Sequence, residues 1–82
     1  MAAGRLTLYG RGYCHLCDDM REALQPLLDE FGASLVEIDV DSDPALEDRY
    51  GELVPVLLGG EDELCHYFLD APRVRAYLLE IR

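Results

Sequence analysis

The segment "LCDDMREALQPLLDEF" (16–31) sets apolar residues at helical spacing, and it lies between two short runs whose apolar residues alternate. This arrangement constrains the fold more than any other feature of the chain. Leu16, Met20, Ala23, Leu24, Leu27, Leu28 and Phe31 form one stripe, which predicts an amphipathic helix from about Cys14 to Phe31. "RLTLY" (5–9) alternates Leu6 and Leu8, and "SLVEIDV" (34–40) alternates Val36, Ile38 and Val40 with Glu37 and Asp39. Each reads as a strand with one buried face. A helix crossing between two such strands makes them parallel.

Glycine and proline punctuate the rest. Gly10-Arg11-Gly12 opens a loop after the first strand, and Gly32 stands where a left-handed residue ends the helix. Pro26 lies inside the stripe, so a kink is expected rather than an end, because the apolar residues continue past it. In "DSDPALEDRYG" (41–51), Asp43 suits an N-cap, Pro44 suits the first turn and Gly51 closes a short helix. "VPVLL" (54–58) predicts a third strand, "GGED" (59–62) a turn and "ELCHYFL" (63–69) a fourth strand paired back on the third. Asp70 caps a last helix with Val74, Tyr77, Leu78 and Ile81 on one face. The order is βαβ, a short helix, a ββ hairpin and a helix. It implies one α/β domain over 1–82 with a mixed sheet.

Charge narrows the partners. The chain carries 17 acidic and 7 basic residues, a net charge of −10, and every basic residue is Arg. Nucleic acid and anionic membrane surfaces are poor partners for it. The acids solubilise the surface, or steer the chain to a basic protein. "MAAGR" passes straight into "LTLY", too short for a secretory leader, and no run approaches the roughly 18 apolar residues of a membrane span. The expectation is a cytoplasmic monomer, in a compartment where thiols stay reduced.

Two of the three cysteines, Cys14 and Cys17, stand in "YCHLC" at the junction of the first strand and the first helix. A helix start offers free N–H groups and the positive end of the dipole, which stabilise a thiolate on Cys14. Cys17 lies one turn further in, on the same side and deeper. It is placed to close a disulfide with Cys14. His15 lies between the sulfurs and is a candidate for tuning them. Tyr9 is assigned to the core, and Tyr13 to the rim where a substrate docks.

With "YCHLC" after the first strand, the βαβ–α–ββ–α order and Val54-Pro55 at the third strand, the chain resembles the thioredoxin superfamily, and most closely the small bacterial glutaredoxin-like proteins. The resemblance implies a four-stranded sheet of order 2-1-3-4 with helices on both faces. It implies thiol–disulfide oxidoreduction, with Cys14 as nucleophile and Cys17 as resolving thiol. It implies a cis Val54-Pro55 bond, with Pro55 packed on the dithiol and the Val54 backbone pairing with an extended substrate. Arg11 fills the place of a basic residue that glutaredoxins carry three positions before the first cysteine. The implied partners are a disulfide-containing protein or a low-molecular-weight thiol, with no tightly bound cofactor.

Glutathione is the thiol the resemblance suggests, and the sequence argues against it. Glutaredoxins bind it partly through Gly-Gly-x-x-Asp at the start of the last helix, where this chain has "CHYFLD". Its Gly-Gly pair, Gly59-Gly60, is in the hairpin turn, and the negative charge disfavours an anionic ligand. Asp18, Asp19 and Glu22 also bear on the sulfurs. One carboxylate about 7 Å from a thiolate costs about 0.6 kcal/mol in water and about 2 kcal/mol in a partly buried setting. Arg11, Arg21 and protonated His15 oppose this, so Cys14 is expected to be only moderately more acidic than a free thiol.

Other readings of the same residues remain. Cys14 and Cys17 are packing residues in one. In another they join Cys65 and His66 as zinc ligands, although adjacent strand residues point to opposite faces. Cys65 alone reads as a small hydrophobe and His66 as a polar strand residue. A redox-regulated binding module, or a non-catalytic domain that keeps the fold, would need the same dithiol.

Overall fold

Strand β1 (Arg5–Gly10) is the element on which the sheet is assembled. Strand β2 (Ser34–Asp39) runs parallel to it, from Arg5 opposite Ser34 to Gly10 opposite Asp39. Strand β3 (Val56–Gly59) lies antiparallel on its other side and pairs onward with β4 (Asp62–His66), giving the order β2-β1-β3-β4. Helix α1 (His15–Phe31) crosses between β1 and β2, α2 (Pro44–Tyr50) links β2 to β3, and α3 (Ala71–Ile81) follows β4. The computed structural model describes residues 4–81. The stretch 1–3, on which the expectation of no secretory leader partly rests, lies outside the described residues, as does residue 82. No helix among the described residues is long and apolar enough to cross a membrane.

The period-two alternation of β1 and β3 divides the core. Leu6, Leu8 and Leu57 face α1 and α3, where they pack with Met20, Leu24, Leu27, Leu28, Val74 and Leu78. Val56 and Leu58 face the other way, onto Val40 and Tyr50, with Tyr9 and Leu46 beside them. Helices therefore cover both faces. Tyr9 stacks on Tyr50, ring centroids 4.5 Å apart, and so lies in this second core as assigned. The caps follow the sequence: Asp43 Oδ1 accepts from the Ala45 N–H at 2.9 Å, Asp70 Oδ1 from the Arg73 N–H at 3.2 Å, and Gly32 ends α1 at φ 61°. Helix α1 runs unbroken through Pro26, which lies on its exposed side.

Several strand boundaries differ from expectation. The second strand stops at Asp39, and Val40 begins a 3-10 turn (Val40–Ser42) that drops its side chain into the smaller core. Within β2, Leu35 packs on the main core while Val36 is 41% exposed. The seven-residue α2 is too short to cover that end of its face of the sheet. The third strand starts at Val56, after Val54 and Pro55, because a proline cannot donate to the ladder. The fourth strand runs over 62–66 rather than 63–69. The hairpin turn is Gly60-Glu61, with Gly60 at φ 61°, so Gly59 and Asp62 are already paired. At its far end Tyr67 turns left-handed, φ 63°, and leaves the ladder. A register shift at Leu57/Leu58 brings Leu64 and its neighbour Cys65 onto the same core, as a bulge does.

Candidate active site

The loop Arg11–Tyr13 between β1 and α1 delivers the two cysteines. Cys14 is the N-cap of α1, with an extended backbone, and Cys17 lies in the first turn. They are joined as a disulfide with Cα atoms 5.2 Å apart. The Cys17 N–H donates to Cys14 Sγ at 3.1 Å, so the first sulfur takes the place that a serine or aspartate oxygen fills in an ordinary cap. Charge on that sulfur would be held by the same N–H and by the helix dipole. The two sulfurs differ in access. Cys14 is half-buried, whereas Cys17 is 2% exposed.

Gly10 is a site residue that sequence reading missed. A Cβ built there would stand 3.0 Å from Cys17 Sγ, so the inner sulfur lies directly on the glycine backbone. The β1–β3 register, carried past its last pair Tyr9–Val56, falls on Gly10 and Pro55 after one step and on Arg11 and Val54 after two. The Val54-Pro55 bond is cis, and Pro55 is buried. Gly-x-Gly after a strand signals a loop, but not that the first glycine carries a sulfur. Gly10→Ala must push Cys17 Sγ by a few tenths of an ångström. It is expected to slow closure of the Cys14–Cys17 disulfide about tenfold and to cost about 1–3 kcal/mol of stability. Rapid-quench oxidation and denaturant unfolding measure the two.

The remaining residues divide into two groups. Tyr13 is fully exposed in a left-handed conformation, φ 57°, at the rim beside Cys14. His15 is also exposed and lies 3.3 Å from Asp19, one turn on. Arg11 instead reaches away to α2 and the 3-10 turn, bonded to Glu47 and 3.7 Å from Asp41, and so ties the active loop to those elements. Arg21 holds Asp18 at 2.9 Å and Glu37 at 2.6 Å, and both acids raise the pKa of its guanidinium. Of the acids that follow the dithiol, Asp18 is therefore paired with an arginine, although exposed pairs of this kind contribute only about 0–1 kcal/mol each. A cleft of about 230 Å³, walled by Gly10, Arg11, Cys17, Arg21, Glu37 and Asp39, reaches Cys17 from the β2 side. Asp39 is a turn-bonding acid, its Oδ1 accepting from the Asp41 N–H at 2.8 Å.

Cys65 packs half-buried on the main core, and burial raises its pKa, keeping it a neutral thiol. The adjacent His66 faces outward to Glu63 at 2.9 Å. Among the described residues no three His, Cys, Asp or Glu side chains are grouped as a metal site.

A four-stranded sheet of this order, carrying a cysteine pair at the start of its first helix, defines a protein of the thioredoxin superfamily. More narrowly, the chain belongs to the family described as Glutaredoxin-like domain (DUF836), whose model matches residues 5–79. It is similar to a Nitrosomonas europaea protein solved by NMR, at 41% identity over 95% of this chain and 94% of that one, with a TM-score of 0.82. A protein from X. campestris, solved by X-ray, is 46% identical over 92% of this chain and 96% of its own, with a TM-score of 0.69. Thioredoxin 1 of Thermosipho africanus shares the fold at 18% identity, with a TM-score of 0.61 over 94% of this chain and 92% of its own. Family and cysteine spacing together support a thioredoxin-like redox role.

Proposed function

We propose that the protein is a thiol–disulfide oxidoreductase in which Cys14 attacks and Cys17 resolves. The observation that carries this reading is the unequal access of two bonded sulfurs: the outer one caps a helix at the surface, and the inner one is buried behind it. In the reduced protein the Cys14 thiolate attacks one sulfur of a substrate disulfide. A bond forms from Cys14 to that sulfur, and the other substrate sulfur leaves as thiolate and takes a proton. Cys17 then loses its proton and attacks Cys14 Sγ. The Cys14–Cys17 bond closes, and the second substrate sulfur leaves. The substrate gains two electrons, the protein loses two, and an external dithiol restores it. Cys17 is one helical turn from Cys14, so the second step is intramolecular and fast.

Val54 and Pro55 form the wall opposite the dithiol, and Tyr13 and His15 form its exposed rim. Arg11 positions the loop through Glu47 and Asp41. Turnover of a protein disulfide with dithiothreitol as reductant tests the reading. Cys14→Ser is expected to lower the rate at least about 10³-fold, because a serine hydroxyl is not ionised at neutral pH. A variant that kept the wild-type rate would overturn it. A wild-type protein that cycles between dithiol and disulfide without turning substrate over would instead be a redox switch.

A further inference from the structure

We propose that the sulfur end of the sheet docks an extended, cationic, apolar-flanked segment of a disulfide-bearing protein, with its apolar side chain against Tyr67 and Phe68. The proposal deepens the oxidoreductase reading and rests on it for the chemistry.

The first observation is conformational. Among the described residues, two that are not glycine have positive φ, Tyr13 at 57° and Tyr67 at 63°. Such a backbone costs an aromatic residue about 1 kcal/mol or more, and persists where its surroundings hold it. Both lie on loops at the end of the sheet that carries the dithiol. Tyr13 precedes Cys14. Tyr67 is fastened over the Val54-Pro55 segment, its N–H donating to the Pro55 carbonyl and its hydroxyl to the Glu52 carbonyl, each at 2.9 Å. The turn pushes the next residue, Phe68, outward, where it is 71% exposed. Aromatic surface at this end of the molecule faces water instead of core.

The second observation is charge. Asp18 and Asp19 follow the dithiol, Glu52 lies under Tyr67, and Asp70 follows Phe68, all exposed. Arg11 and Arg21, which line the cleft at Cys17, are engaged with Glu47 and with Asp18 and Glu37. The surroundings are anionic, as is the whole chain at −10. An apolar platform with Glu52 and Asp70 beside it, on a chain of net charge −10, suits Lys- or Arg-bearing segments with one large apolar side chain, and disfavours glutathione disulfide, which is an anion. Opposite charge on substrate and site raises encounter rates by about 10- to 10³-fold at low salt.

Two cystine peptides that differ only in charge test this: Leu beside each cysteine with Lys around it, and the same peptide with Glu for Lys. At low salt the Lys peptide is expected to be reduced at least about tenfold faster than the Glu peptide or glutathione disulfide, with the gap closing at high salt. Phe68→Ser is expected to lower the ratio of the Lys-peptide rate to the glutathione disulfide rate by about two- to tenfold. Phe68 is exposed, so the variant keeps the core. In parallel, the Lys peptide with Ser for both cysteines is titrated into the oxidised protein. It is expected to shift the NMR resonances of Tyr13, Tyr67 and Phe68. Equal rates for the two peptides, an unchanged ratio in Phe68→Ser, or shifts confined to another face would each overturn the docking surface and leave the oxidoreductase reading intact. If no disulfide is turned over but the cysteine-free peptide shifts these residues, the surface stands and the oxidoreductase reading falls.

Discussion

Cys17→Ser is expected to arrest the protein as a covalent adduct, with Cys14 joined to half of its substrate's disulfide. In the wild-type protein the adduct is expected to be short-lived, because Cys17 lies one turn away and within reach of it. Without that sulfur only a thiol from solution can release the substrate, and the adduct persists until reductant is added. Incubating the reduced variant with a protein that has one accessible disulfide, followed by non-reducing electrophoresis, should show near-complete conversion to a band that dithiothreitol removes. Cys14→Ser should give no such band. The buried Cys17, 2% exposed, is walled in by Gly10 and cannot reach a bulky disulfide. Equal adduct from both variants would reverse the assignment of nucleophile and resolving thiol.

The second large effect is on stability. Leu24 is completely buried in α1 between the sheet and α3, whereas Ala23 beside it is exposed. Leu24→Ala removes three carbons from a packed core and is expected to cost about 2–5 kcal/mol. A domain of this length has only about 4–12 kcal/mol in total, so the variant should melt roughly 10–30 °C lower. Ala23→Ser should move stability by no more than about 0.5 kcal/mol. Denaturant midpoints of the two variants check the pair. A Leu24→Ala loss below about 1 kcal/mol would place that leucine outside the core.

Ala23 also shows how far periodicity can be trusted. It falls within the helical stripe, yet it lies at the margin of the buried arc, where a small side chain does not reveal which side it is on. Val36 is a clearer case. Its alternation with Glu37 is a good strand signal, but alternation says only that two faces differ. Leu35 on the other face met α1 and the main core, while the face of Val36 met a helix too short to cover it. Tyr67 and Phe68 extend an apolar run and so read as strand. The ladder ends at them because Pro55, which the register puts opposite Tyr67, accepts the Tyr67 N–H but has no N–H to return, and Tyr67 turns to φ 63°. The partner that ends the pairing lies twelve residues away, beyond the reach of a local rule.

Arg11 teaches the same lesson at the site. Its place before Cys14 suggested a charge that offsets the acids around the sulfurs. In the fold, Glu47 and Asp41 lie within reach and draw the guanidinium to α2 and the 3-10 turn. Gly10 was legible as loop punctuation and nothing more. Its contact with Cys17 Sγ exists because β1 ends directly under the first turn of α1, which is a matter of packing.

What the sequence determined by itself was the element order, the parallel pairing of the first two strands, the antiparallel hairpin and the dithiol at a helix start. These follow from local periodicity, from caps and from a spacing of three residues, all of which act within one or two turns of chain. The tertiary structure decided the rest: which face of β2 is covered, where β4 stops, which acids hold Arg11, and that Gly10 backs the inner sulfur. Each of those depends on a partner far away in sequence. Burial and hydrogen-bond competition between distant segments are settled only when the chain closes on itself.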